Sequence, residues 1–138
     1  MFFKLKGRYR PVYFLLAAMI LGYGAWVVPP ILIPGNEELR WPLLPTIMTD
    51  SYKVRFYMVI SLSILGAALG FLDPARGMLW GAMSGVPIML ASFIEGALGL
   101  VRHNLWGVEV LVYAVFTLPA ILGGGIGSYI SRLIYRLK

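Results

Sequence analysis

The stretch that decides the fold runs from Val54 to Val101: VRFYMVISLSILGAALGFLDPARGMLWGAMSGVPIMLASFIEGALGLV. Two long apolar runs are separated only by Asp73-Pro74-Ala75-Arg76. About 20 mostly apolar residues in a helix cross the hydrocarbon core of a bilayer, and each run is of that size. So short a link makes the second helix return beside the first, as an antiparallel transmembrane hairpin. Asp is a good helix N-cap and proline suits the first helical position, which puts the start of the second helix at this link.

Two further runs flank the hairpin, Val12 to Ile33 and Val108 to Ile134. The expected architecture is an all-α, antiparallel bundle of four transmembrane helices over 12–33, 54–72, 77–101 and 108–134. It forms a single domain over 1–138, with an outer loop at 34–53. Composition agrees with this reading. Of 138 residues 59% are apolar and 13% charged, against roughly 45–50% and about 25% in soluble domains. That excludes an ordinary water-soluble globule and a disordered chain. The absence of cysteine excludes a disulfide scaffold and a thiolate metal site. The first apolar run is longer than a signal-peptide core of about 7–15 residues and has no clean small-x-small site, so it reads as a retained helix.

Basic residues near helix ends set the orientation. Lys4, Lys6, Arg8, Arg10, Arg76, Arg132, Arg136 and Lys138 fall on one side, and Arg40, Lys53, Arg55 and Arg102 on the other. Both termini are therefore expected in the cytoplasm, with the chain integral to a bacterial inner (plasma) membrane. Anionic headgroups account for the basic tails without a nucleic-acid partner. The connection PGNEELRWPLLPTIMTDSYK, residues 34–53, has three prolines that disfavour a continuous helix. Its apolar pieces, with Trp41 and Tyr52, suit the outer headgroup region.

Small residues four apart let membrane helices approach closely. Gly66 and Gly70 form one such row, Gly77, Gly81 and Gly85 a second, and Gly123, Gly127 and Ser131 a third. Gly70 and Gly77 lie equally far from the Asp73-Pro74 turn, as do Gly66 and Gly81, so these two rows should dock against each other. Pro87 and Pro119, near the middle of their spans, invite kinks.

Charge within the spans is sparse. Glu95 lies about six residues past the centre of its span, roughly 9 Å from the midplane. Ionised groups at such depth are costly and usually functional. Glu95 is either an ion, proton or ligand site, or a register device paired with Arg102 or backbone. Glu109 near its helix start suits the helix dipole. His103 stands alone, so no metal site and no cofactor is expected. The Gly123-Gly124-Gly125 run lies inside an apolar helix and reads as packing.

Over ten residues, Gly123 to Arg132 resembles the glycine-rich, arginine-ended motif of small four-helix fluoride channels. The arginine falls one position late and the run lies in the last helix. Arg102-His103-Asn104 with Glu109 resembles the Arg/Asn/Glu cluster of four-helix glutathione-using membrane enzymes, with a different spacing and helix order. Neither resemblance carries an activity over. The expected function is that of a non-catalytic accessory or structural subunit in a membrane complex, with the lipid bilayer and a membrane-protein partner, or further copies of the chain, around it. The alternative is a small oligomeric ion channel or ion-coupled transporter centred on Glu95, with Arg102, His103 and Glu109 as further candidates.

Overall fold

A computed structural model describes residues 10–32, 52–98 and 106–136. Among these residues the chain is helical throughout, without a strand. The helices are α1 (Arg10–Leu32), α2 (Tyr52–Leu72), α3 (Gly77–Met83), α4 (Val86–Ala97) and α5 (Trp106–Arg136). With α3 and α4 taken together they make four spans long and apolar enough to cross a membrane. At 1.5 Å per residue, the 21 residues of α2 reach about 31 Å, one hydrocarbon thickness, and the 31 residues of α5 about 46 Å.

At the hairpin turn the span begins at Gly77 as expected, but its cap departs from expectation. Residues 74–76 form a turn, and the N-terminus of α3 has no side-chain cap. The Arg76 amide donates to the Asp73 carbonyl at 3.1 Å. The Asp73 carboxylate accepts the Trp80 indole N–H at 3.0 Å instead of capping a helix. An indole buried at a helix start has one polar atom to satisfy, and a carboxylate seven residues upstream satisfies it.

The third span carries the kink expected from Pro87: Ser84 and Gly85 keep right-handed helical backbone angles while the helical hydrogen-bond pattern lapses between α3 and α4. The lapse falls just ahead of Pro87, which occupies the first turn of α4. Proline cannot donate to the carbonyl four residues back and its ring crowds that carbonyl, which here belongs to Met83, the last residue of α3. Pro119, by contrast, stays inside α5, which runs unbroken past it.

Packing divides into two apolar clusters. Near the hairpin turn, Ala18, Leu69 and Trp80 are buried, with Phe14, Leu15, Leu65 and Met83 against them. The Phe14 and Trp80 rings lie 5.6 Å apart. In the other half Trp26, Met58, Leu62, Ile88, Ala91, Tyr113 and Ala120 form the core. Trp26 meets Tyr113 edge-on at 5.6 Å between centroids. The large exposed residues, among them Ile20, Ile64, Leu111, Leu122 and Tyr129, face outward. That distribution suits apolar surroundings.

Candidate functional site

The most constrained region is the seam where α2, α3 and α5 meet backbone to backbone. Gly66 rests against the Ala120 carbonyl and Gly70 against that of Gly124. Equal steps forward on both helices mean that α2 and α5 run in the same direction. Gly81 also rests against the Ala120 carbonyl, while Gly77 packs on Gly124 and Ser128. Stepping back along α3 moves forward along α5, so that pair is antiparallel. The two glycine rows of the hairpin do meet next to the turn, where a Cβ on Gly77 would lie 2.6 Å from Gly70 Cα. Farther along, the nearest atoms to both rows belong to α5. The depth matching read from the turn stands, but the surface that receives both rows is α5.

Gly123 and Gly127 face α2, packing on Ser63 and Ala67. Within the triple-glycine run the neighbours point to different partners. Gly123 meets α2, Gly124 meets the Gly77 carbonyl of α3, and a Cβ on Gly125 would meet only the Met78 side chain, at 3.5 Å. Ser131, the third member of that row, is fully buried and its hydroxyl has no hydrogen-bond partner among the described residues. Ser128 donates to the Gly124 carbonyl at 2.7 Å and lies 3.4 Å from that of Gly70.

Sequence reading missed the receiving surface of the seam, although its signal was present. Ala120, Gly124 and Ser128 are also small residues four apart, as are Ser63 and Ala67. It also missed the contacts at the lapse in the third span. Gly22 of α1 packs against Ser84, with an added Cβ 2.6 Å from Ser84 Cα, and Gly85 packs on the Thr117 side chain. The lapse is thus clamped between α1 and α5. Its hydroxyls bond locally, Ser84 to the Gly81 carbonyl at 2.6 Å and Thr117 to that of Tyr113 at 2.8 Å.

The charged candidates are only partly placed. Arg102 and His103 lie outside the described residues, as does most of the 34–53 connection. Glu95 and Glu109 belong to α4 and α5, but their side chains lie outside the description. By register, position 95 continues the stripe on which α4 buries Ile88, Ala91 and Ser92, and position 109 lies one turn before the buried Tyr113. Between α4 and the first turns of α5 a groove of about 380 Å³ opens, lined by Val86, Met89, Leu90, Phe93, Val110 and Leu111. Its lining among the described residues is apolar. No cluster of three metal-ligating side chains occurs among the described residues.

Compared with protein-family models, with curated proteins and with solved structures, the chain matches none of them.

Proposed function

We propose that this chain is an integral membrane protein with both termini in the cytoplasm, serving as a non-catalytic accessory or structural subunit of a membrane complex. One observation carries the reading. The centre of the bundle is closed by backbone-to-backbone contact of three helices, with Gly66 and Gly81 both seated on the Ala120 carbonyl. Large apolar side chains are left to point away from that centre. A closely packed centre of this kind leaves the outer faces for lipid or for neighbouring helices. Apolar helix faces serve lipid and protein equally well, because association in lipid depends on close packing and hydrogen bonds more than on hydrophobicity.

The test is purification from its native membrane in mild detergent, with identification of what co-migrates. A discrete larger complex of defined stoichiometry supports the subunit reading. Migration as a homo-oligomer that conducts an ion after reconstitution overturns it.

A specific feature favours a second reading, a small channel or ion-coupled transporter. The helical hydrogen-bond pattern of the third span lapses at Ser84-Gly85, and discontinuous helices often expose backbone to a substrate. Glu95 lies on α4 beyond that point, one helical turn after Ser92 by register.

A further inference from the structure

We propose that the α2–α3 turn and the adjoining end of α5 bind the phosphate of an anionic phospholipid, with Arg76 and Arg132 as the ligating side chains. The proposal rests on the membrane reading above and adds a defined lipid site to it.

The seam itself builds the site. Ser128 packs on Gly70 and Gly77, so α5 one turn later comes level with the turn that joins α2 to α3. There Arg132 Nη2 donates to the Pro74 carbonyl at 2.6 Å. A guanidinium is a planar fork with five N–H donors. One bond to a backbone carbonyl fixes its plane, and the remaining donors of this exposed side chain stay available. Arg76, also exposed, belongs to the same turn, two residues past Pro74. Arg136 follows one helical turn beyond Arg132 and is likewise exposed.

The acidic group of the turn is directed elsewhere. The Asp73 carboxylate takes the indole N–H of Trp80, a side chain buried in the core against Ala18 and Leu69. Asp73 thus holds an indole of the bundle, while Arg76 of the turn and Arg132 of α5 are exposed. Depth completes the match. The turn terminates two spans of apolar helix, which is the level of lipid phosphates when those spans fill the hydrocarbon core. An arginine fork suits phosphate bidentately, and an arginine already held in place loses less freedom on binding. A zwitterionic lipid carries its own ammonium and gains less from this surface, so the selectivity should be for net negative headgroups.

The experiment uses the full chain purified in mild detergent. Retained lipid is counted by native mass spectrometry from mixed micelles containing equal phosphatidylglycerol and phosphatidylcholine. The thermal midpoint is measured beside it with each lipid, and with inorganic phosphate alone. The expected result is preferential retention of phosphatidylglycerol and a raised midpoint. Arg76→Gln should lower that preference about fivefold, the factor expected for one basic residue near an anionic surface. Arg132→Lys, which keeps the charge and loses the fork, should lower it as well, and Arg55→Gln at the opposite end of α2 should not. Equal retention of the two lipids, or an unchanged preference in Arg76→Gln, overturns the proposal. So does a loss of equal size in Arg55→Gln, which would mean diffuse charge. A midpoint raised as far by inorganic phosphate would identify free phosphate as the ligand and overturn the lipid assignment. A chain that stays monodisperse in buffer without detergent would bring down the membrane reading itself. A chain that needs detergent but shows no lipid preference brings down this site alone.

Discussion

The backbone carbonyl of Ala120 lies against Gly66, so close that a Cβ on residue 66 would come 2.8 Å from the carbonyl carbon. From the α3 side, a Cβ on Gly81 would lie 2.7 Å from the same atom. The obstacle in both cases is backbone, which cannot rotate aside. Gly66→Ala and Gly81→Ala should each therefore cost about 1–3 kcal/mol, the range for overpacking. Gly24 has nothing within 4 Å of its added Cβ, so Gly24→Ala should be neutral or gain up to about 1 kcal/mol through helix preference. Thermal unfolding of the three variants in detergent measures the contrast. Equal tolerance at all three positions would remove the seam argument.

Ser131 and Ser128 lie one turn apart on α5 and should answer differently to the same change. The Ser131 hydroxyl is fully buried and unpartnered among the described residues, so Ser131→Ala removes an unsatisfied group at almost no loss of volume. It should leave stability unchanged or raise it by about 1 kcal/mol. Ser128 donates to the Gly124 carbonyl and packs on Gly77, so Ser128→Ala should destabilise. Chemical denaturation of the two variants side by side is the measurement, and the reverse order would count against the arrangement.

Orientation is open to labelling because the chain has no cysteine of its own. Single cysteines at Arg76 and Arg136 should react only after the membrane is permeabilised. A cysteine at Lys53, exposed at the opposite end of α2, should react with an impermeant reagent in intact cells. The warrant is the eight-to-four excess of basic residues on the side of the termini. The opposite labelling pattern would invert the bundle.

Glu95→Gln separates the subunit reading from the transport reading. Size and hydrogen-bonding capacity are nearly kept while the charge is lost. The expected outcome is a variant that folds and assembles as wild type, since placing a charge at that depth is costly. Flux in reconstituted vesicles is measured beside it. Wild-type flux that disappears in a well-folded Gln variant would establish transport and displace the subunit reading.

How much of this was legible in the residues differs from feature to feature. The number of spans and the hairpin around Asp73-Pro74 could be read directly, because run length against bilayer thickness is a local quantity. The small residues four apart could be read too, since that spacing is a property of one helix. Their partners could not. Whether Gly66 faces Gly81 or Ala120 depends on where a third helix, some forty residues away in the chain, inserts between the two. Spacing within α2 and α3 holds no information on that, and the Ala120, Gly124 and Ser128 row acquires meaning only when α5 is in place.

The same division runs through the turn and the third span. Proline chemistry foretold trouble at both Pro87 and Pro119, but only packing decided the outcome. The helical hydrogen-bond pattern lapses before Pro87, where Gly22 and Thr117 clamp Ser84 and Gly85, and runs on through Pro119 inside one long helix. Asp73 is a sound N-cap by residue type, yet the Trp80 indole, buried by Phe14 and Ala18 of α1, takes its carboxylate. Composition and periodicity, which act within a few residues, determined that the chain is a bundle of apolar helices. Which backbone atom each glycine touches was decided by the tertiary structure alone, because helix rotation is set by all neighbours at once.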